Sequence, residues 1–174
     1  MGGDKPMTIM DTDKQLEICP LQTTAEAEAC AQMMAGSEPW LTLRRDYTVS
    51  LKILTDPTRE VYVATLQGEI VGFILLNMRG AFVGYIQTLC VASQWRGQGI
   101  GSRLIAFAEQ RIFTETPNVF ICVSSFNPDA RRLYERLGYE LVGVLKDYLI
   151  SGYDEILLRK TIAPVLEFKK PDQL

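Results

Sequence analysis

Residues 96–101 read RGQGIG, which puts three glycines within six positions, between an apolar run and a helix-like segment. Glycine has no Cβ, so its backbone can approach a bulky ligand closely. The first N–H groups of a helix have no partner inside the helix, and with the helix dipole they favour an anion such as a pyrophosphate. This segment therefore predicts a phosphate-binding turn. The alternative is a glycine-rich strand-to-helix turn that holds no ligand.

Two better-known phosphate-binding patterns do not fit this turn. The dinucleotide-binding fingerprint requires glycine at the position of Ser102, and the P-loop requires Gly-Lys followed by Ser or Thr. Neither requirement is met here. The predicted anion site is therefore of a different glycine-rich type.

A second candidate group lies along one predicted helix. Asn127 is a good N-cap and Pro128 a good first helical residue, so a helix is expected to begin there. Tyr134 follows Asn127 by seven residues, about two helical turns, which places both on one side. A structural role would also explain this tyrosine, because Ala130 and Leu133 form an apolar stripe on the same side.

The composition excludes several classes of chemistry. The chain has no histidine, which rules out Ser-His-Asp and Cys-His hydrolases and zinc fingers. Eighteen Lys and Arg against 21 Asp and Glu give a net charge of −3, so we expect no nucleic-acid or membrane partner. The cysteines form no CxxC pair and fall in apolar stretches, which predicts reduced, buried thiols and no metal. They are Cys19, Cys30, Cys90 and Cys122.

The elements that must position these residues follow from hydrophobic periodicity and turn residues. The sequence predicts strands over 16–19, 60–66, 69–77, 84–91, 119–123, 139–145 and 153–161, and helices over 25–34, 44–54, 102–113 and 128–137. This order, β-α-α-β-β-β-α-β-α-β-β, predicts an α/β fold with a mixed α+β sheet flanked by helices. Gly72, inside the third strand, indicates a bulge or a close approach of two backbones.

The length of 174 residues is typical of one domain. We expect a single domain over 16–163, a flexible N-terminal tail over 1–15 and a C-terminal tail over 164–174. No secretory signal is visible, and no apolar run approaches the ~18 residues of a membrane span. A cytoplasmic location is therefore expected.

Taken together, these motifs resemble the GNAT family of acetyl-CoA-dependent N-acetyltransferases. The family's pyrophosphate signature is Gln or Arg, two residues of any kind, Gly, any residue, then Gly or Ala, and residues 96–101 match it. A second family motif is similar to the set Asn127, Ala130, Tyr134, Gly138 and Tyr139. The resemblance covers roughly residues 16–161.

The resemblance implies a GNAT-like acyl-CoA N-acyltransferase fold, with a central, mostly antiparallel sheet. Strands 84–91 and 119–123 would splay apart, and the pantetheine arm would enter between them like an added strand. Acetyl-CoA would be the acyl donor, and no metal would be needed. The residues implied to contact acetyl-CoA are Leu89, Cys90, Val91, Arg96, Gly97, Gln98, Gly99, Ile100, Gly101, Ser102, Asn127 and Tyr134.

The same resemblance implies direct acetyl transfer to a primary amine, with Tyr134 as the general acid. Some members carry a glutamate base where this chain has Gln87 or Cys122, so the base is left open between Glu38, Asp154 and a water chain. The acceptor pocket would include Glu38, Trp40, Gln87, Tyr148 and Tyr153.

Two other functions are compatible with the same residues. A catalytically silent acyl-CoA-binding or regulatory module would keep the glycine turn, and a generic anion-binding interaction domain would hold a partner's phosphate there. Tyr134 at the family spacing favours the enzyme. Pairing of two copies through the edge of the closing hairpin, as a homodimer, is left open.

Overall fold

The order of elements predicted from the sequence is confirmed in the computed structural model, which describes residues 16–171. The elements are β1 Leu16–Pro20, α1 Thr24–Ala35, α2 Tyr47–Leu54, β2 Glu60–Leu66, β3 Glu69–Asn77, β4 Tyr85–Val91, α3 Ile100–Ile112, β5 Asn118–Ser124, α4 Pro128–Arg136, β6 Glu140–Ile150 and β7 Tyr153–Thr161. A short 3₁₀ turn, Ser93–Trp95, precedes α3. The predicted tail 1–15 and the last three residues of the predicted tail 164–174 lie outside the described residues.

Two element boundaries differ from the predicted ones by more than two residues. Asp46 is the N-cap of α2, and its carboxylate accepts the N–H of Val49 at 2.9 Å. The helix therefore starts after Asp46 and not at Arg44, whose positive φ of 54° is incompatible with a helix. β6 is longer than the predicted strand 139–145, because its pairing with β7 resumes after an irregular stretch.

All seven strands form one sheet in the order β1-β2-β3-β4-β5-β7-β6. Every neighbouring pair is antiparallel except β4 and β5, which run parallel. These two strands pair at only two positions, Tyr85 with Phe120 and Ile86 with Ile121. Beyond those positions they diverge, which confirms the splayed centre of the fold.

The sheet carries a hydrophobic core on each face. On one face α3 buries Leu104 and Ile112, among others, against the sheet. On the other face α1 buries Cys30 and Met34 against β3, including Phe73. The two faces of the β4–β5 opening are therefore bounded by different helices.

A bulge in β4 changes the direction of its side chains at the point where the opening begins. Pairing with β3 passes from Thr88 to Ile86, which leaves Gln87 without a partner residue. Bulges of this kind re-aim side chains and are frequent beside active sites. As a result Ile86 packs in the α3 core, whereas Cys90 packs in the α1 core.

Gly72 lies where the backbones of β3 and β4 approach each other closely. A Cβ at this position would stand 2.7 Å from the carbonyl oxygen of Cys90. The pairing of β2 with β3 also shifts register next to Gly72. The predicted bulge or close approach is therefore confirmed in both respects.

The four cysteines differ in their surroundings. Cys30 and Cys90 are buried, and burial raises the pKa of each thiol to about 12. Cys122 is half-buried, and all four thiols are free. The prediction of a buried thiol is wrong for Cys19, which is exposed because it lies on β1, an outer strand of the sheet.

Gly84 marks the closed end of the opening, and we expect Gly84→Ala to destabilise the fold. Gly84 has a φ of +86°, and a Cβ there would meet the Asn118 carbonyl at 2.5 Å and Ile112 at 2.6 Å. Gly80 has the same φ, but a Cβ there would meet no atom of the described chain within 4 Å, so Gly80→Ala is the matched control. We expect Gly80→Ala to cost about 1–2 kcal/mol of left-handed strain. Gly84→Ala should cost about 1–3 kcal/mol more through overpacking.

Urea unfolding of both variants measures this difference. Equal unfolding midpoints for the two alanine variants would contradict the steric role of Gly84.

Candidate active site

A cleft of about 1040 Å³ begins where β4 and β5 separate. It is bounded by the two strands, the start of α3, the inner side of α4 and the loop before α2. Ligand pockets usually measure ~300–1,000 Å³, so this cleft can accept a large molecule or two molecules side by side. Leu89, Cys90 and Val91 lie on its β4 wall and have no pairing partner on β5 in the described chain.

The glycine turn forms one mouth of the cleft. Gly97 and Gly99 have φ of +75° and +80°, and a Cβ at either residue would meet no atom of the described chain within 4 Å. Gly99 is the N-cap of α3 and, lacking a side chain, makes no capping hydrogen bond. The space that a capping side chain would fill is therefore available to a ligand.

The start of α3 presents unsatisfied N–H groups to this space. The first hydrogen bond of the helix runs from the N–H of Arg103 to the carbonyl of Gly99 at 3.1 Å. The N–H groups of Ile100, Gly101 and Ser102 precede that bond, and all three residues line the cleft. Free N–H groups at a helix N-terminus suit a pyrophosphate, so the turn fits the group that the sequence predicts.

Two of the predicted cofactor-binding side chains hold the turn itself. The Arg96 Nε donates to the Val91 carbonyl at 3.1 Å, and the Gln98 Nε2 donates to the Gln94 carbonyl at 3.3 Å. Arg96 lines the cleft, whereas Gln98 does not. The Gln98 side chain therefore points away from the ligand space, although its backbone belongs to the turn.

Asn127 and Tyr134 stand on the α4 wall of the cleft. The Asn127 Oδ1 caps α4 by accepting the N–H of Ala130 at 3.3 Å, and Pro128 is the first helical residue. Tyr134 is 6% exposed and lines the cleft. Burial raises the pKa of Tyr134, so its hydroxyl stays protonated at neutral pH and can donate a proton.

Strand alternation places a second polar group on the opposite face of the sheet. Val123 and Ile156 point into the α3 core, so their neighbours Ser124 and Glu155 point to the α1–α2 face. Ser124 and Glu155 pair across β5 and β7, and the Ser124 hydroxyl donates to the Glu155 Oε1. Sequence reasoning missed Glu155, which lines the cleft.

Glu155 is a buried carboxylate, with 4% of its surface exposed. Burial raises the pKa of this carboxyl group, whereas the hydrogen bond from Ser124 and the positive charge of Arg45 lower it by a smaller amount. Nearby on the same face, burial also raises the pKa of Tyr85 and of Cys122. We call these residues the far-face cluster; it consists of Arg45, Tyr85, Cys122, Ser124, Tyr148 and Glu155.

The structure places most of the predicted acceptor residues in the lining of the cleft. Glu38, Trp40, Gln87 and Tyr148 line it. Tyr153 does not, because its ring packs edge-on against Phe126 with 4.8 Å between ring centroids. Tyr153 is thus separated from the residues with which it was predicted to act.

Asp154, a predicted alternative for the base, lies outside the cleft lining. Its Oδ1 accepts the N–H of Asp147 at 3.2 Å, and its Oδ2 is 3.8 Å from the Lys146 ammonium. These contacts give Asp154 a structural role in the β6–β7 hairpin.

Residues 16–171 contain neither a cluster of metal ligands nor a helix that could span a membrane. No cluster of three or more His, Cys, Asp or Glu side chains in this range is placed to hold a metal ion. None of the helices in the described chain is long and apolar enough to span a membrane.

Comparison with known proteins identifies related sequences. The model of the Acetyltransferase (GNAT) family matches residues 23–139. An uncharacterized N-acetyltransferase of Methanocaldococcus jannaschii is 38% identical over 101 residues, which cover 57% of this chain and 64% of the relative. The N-alpha-acetyltransferase of Sulfurisphaera tokodaii is 31% identical over 111 residues, with 56% and 66% covered. Both matches therefore span slightly less than two thirds of the relatives' own length.

A third relative is matched over more of its length. N-alpha-acetyltransferase RimI of Mycobacterium tuberculosis is 28% identical over 148 residues, which cover 79% of this chain and 88% of the relative.

Solved structures share the fold. An aminoglycoside 6'-N-acetyltransferase complexed with coenzyme A has a TM-score of 0.70 at 20% identity, covering 85% of this chain and 98% of that one. A Bacillus anthracis protein described as a streptothricin acetyltransferase, in complex with acetyl coenzyme A, has a TM-score of 0.56 at 26% identity, covering 62% and 65%. The predicted GNAT-like architecture is confirmed by these similarities.

Proposed function

Because this chain belongs to the GNAT acetyltransferase family, we propose that it transfers the acetyl group of acetyl-CoA directly to a primary amine. Donor and acceptor bind together, and no covalent enzyme intermediate forms. Tyr134 is the general acid of this proposed reaction. The acceptor is a small-molecule amine, a peptide N-terminus or a lysine.

The observation that carries the proposal is the unpaired edge of β4 beside the glycine turn. An extended pantetheine arm can add to a free strand edge through backbone hydrogen bonds, here along Leu89, Cys90 and Val91. The pyrophosphate then falls at the start of α3, where Gly99 leaves room for it. One extended ligand thus accounts for both features.

The proposed transfer needs stabilisation at two atoms. A β4 backbone N–H near Val91 stabilises the negative charge that develops on the acetyl oxygen. As the amine nitrogen forms its bond to the acetyl carbon, the carbon–sulfur bond breaks, and Tyr134 donates a proton to the departing thiolate. Asn127 contacts the cofactor arm from the α4 side.

The cysteines of the cleft support direct transfer. Burial raises the pKa of Cys90 to about 12 and raises that of Cys122. A thiol with a raised pKa is rarely ionised at neutral pH and is a poor nucleophile. An acyl-cysteine route is therefore disfavoured.

The names of the relatives support an amine acceptor. Two of the three relatives described above are N-alpha-acetyltransferases, which suggests an α-amino group as a first acceptor to test. An α-amine has a pKa of about 8, so a fraction of it is already neutral at pH 7.

Calorimetric titration of the purified chain with acetyl-CoA, followed by a thiol-release assay on a panel of amines, tests the proposal. We expect saturable acetyl-CoA binding and thiol release that depends on both the amine and the protein. Binding without release for any amine would favour the silent acyl-CoA-binding module. Absence of binding at millimolar acetyl-CoA would contradict the proposed function.

The homodimer stays a prediction. β6 is an outer strand of the sheet, and it exposes Leu141, Val142 and Val144. A second copy of the chain could pair with this edge and cover those side chains.

A further inference from the structure

We propose that Glu155 is the catalytic base, and that the acceptor is an amine that enters as an ammonium ion from the α1–α2 face of the sheet. This inference rests on the proposed acetyl transfer. It assigns to a residue of β7 a role that the sequence left open between Glu38, Asp154 and water.

The proposed acid and base lie on opposite faces of the sheet. Tyr134 comes from α4 and packs in the α3-side core, whereas Glu155 points to the α1–α2 face. Both line the same cleft, because the β4–β5 opening passes through the sheet. An acceptor on the Glu155 side can therefore meet a donor held on the Tyr134 side without either displacing the other.

The carboxylates of the cleft differ in their burial. Three carboxylate residues line it, namely Glu38, Asp129 and Glu155. Glu38 is exposed and accepts the N–H of Thr42, and Asp129 forms an exposed ion pair with Arg132 on α4. Glu155 alone among the three is buried. A buried carboxylate gains most from an incoming ammonium, because the site excludes the water that would screen their attraction.

The two oxygens of Glu155 have different surroundings. Within residues 16–171, the hydrogen bond that the side chain receives comes from Ser124 and reaches Oε1. Oε2 is left for a ligand. Ser124 thus fixes the orientation of the carboxylate and acts as a positioning residue, while the second oxygen can accept a proton.

The groups facing Glu155 determine how readily its carboxylate accepts a proton. Tyr85 faces it from β4, Cys122 and Ser124 from β5, and Arg45 from the loop before α2, while Tyr148 of β6 lies near Tyr85. Burial raises the pKa of the carboxyl group, and the Arg45 charge limits the rise. A carboxylate whose pKa is raised in this way is a stronger base than an exposed glutamate.

Each proton of the acceptor nitrogen has a destination in this scheme. The ammonium gives one proton to the Glu155 Oε2 and becomes a neutral amine, whose nitrogen bonds to the acetyl carbon while the carbon–sulfur bond breaks. Tyr134 protonates the departing thiolate, and the second proton of the nitrogen restores the tyrosine. Glu155 then returns its proton to solvent, and the products are the acetylated amine and free coenzyme A.

Glu155→Gln tests the assignment, since glutamine keeps the volume and the partner for Ser124 but cannot accept the proton. We expect kcat/KM to fall about 10²-fold at pH 7, with acetyl-CoA affinity unchanged by calorimetry. The loss should shrink as pH rises towards the pKa of the amine, because more acceptor is then delivered neutral. Asp154→Asn, one residue away and outside the cleft, is expected to keep turnover.

Thermal melting separates this role from a structural one. Burial raises the pKa of Glu155 in the folded chain, so ionising this carboxyl group destabilises the fold. The destabilisation grows as pH rises from the ordinary glutamate pKa through the raised one. Glu155→Gln should therefore melt at the same or a higher temperature above that pH. A lower melting temperature with equal activity loss at every pH would overturn the assignment.

Arg45→Gln supplies an independent pH test. Removing the positive charge should raise the pKa of Glu155 further, so the acid limb of the pH profile of kcat/KM should move to higher pH with the same amine. An unmoved limb would contradict the assignment of Glu155. If the wild-type chain acetylates no amine, the proposed function itself fails. If the wild-type chain acetylates an amine and Glu155→Gln does so equally fast, only this inference fails.

Discussion

Gly99→Glu is expected to abolish measurable acetyl-CoA binding, with an affinity loss of at least about 100-fold, or roughly 2.7 kcal/mol. The substitution places a carboxylate at the N-cap of α3, in the space where no atom of the described chain lies within 4 Å of a Cβ. That carboxylate would occupy the pyrophosphate position, take up the unsatisfied N–H groups of the helix and repel the ligand's charge. Calorimetric titration with acetyl-CoA measures the effect.

Gly68→Glu is the matched control for this variant. Gly68 has a φ of +82°, close to the +80° of Gly99, and its Cβ position is equally open. It lies in the β2–β3 turn, away from the cleft lining. Both variants therefore carry similar backbone strain, and only Gly99→Glu should lose binding. Equal affinity for wild type and Gly99→Glu would remove the glycine turn from the cofactor site.

Short-range features of the fold could be predicted from the sequence because their signals are local. Thr23 caps α1 because its hydroxyl accepts the N–H of Glu26, and the Glu26 carboxylate in turn accepts the N–H of Thr23. Asn127 and Pro128 begin α4 in the same local manner. The glycine turn also needs only its own residues and the helix that follows, so its conformation follows from the spacing in residues 96–101.

Glu155 could not be predicted because its position depends on long-range pairing. β7 lies between β5 and β6, and nothing local in the closing hairpin indicates which of its two strands contacts β5. The strand period of two adds a second ambiguity, because adjacent residues such as Asp154 and Glu155 point to opposite faces. The sequence indicated Asp154 as a candidate base, whereas the register of β7 places the side chain of Glu155 in the cleft.

The far-face cluster contains a carboxylate that comes from β7 and not from one of the two splayed strands. The resemblance to GNAT proteins implies a glutamate on one of the splayed strands in some members, where this chain has Gln87 or Cys122. Cys122 and Glu155 both point to the α1–α2 face, from neighbouring strands. A carboxylate can thus reach the same side of the cleft from β7 when β5 does not supply one.

Tyr134→Phe is expected to lower kcat about 10³-fold while leaving acetyl-CoA affinity nearly unchanged. The phenylalanine keeps the buried ring and its packing on α4, and removes only the hydroxyl of a residue that lines the cleft. Because burial keeps the phenol protonated, its loss removes a proton donor and adds no charge. Single-turnover measurement of thiol release, with the acceptor saturating, isolates the step in which the thiolate leaves.

Tyr139→Phe is the control that distinguishes this role from general packing. Tyr139 is 3% exposed, and its ring centroid lies 6.1 Å from that of Tyr134, but it does not line the cleft. Both variants delete one hydroxyl from the same buried aromatic pair, so a packing effect would appear in both. A large loss of kcat in Tyr134→Phe alone would identify its hydroxyl as the proton donor. If Tyr134→Phe and wild type have equal kcat, the thiolate departs without a proton from a protein acid. The backbone N–H of β4 would then be the main source of catalysis.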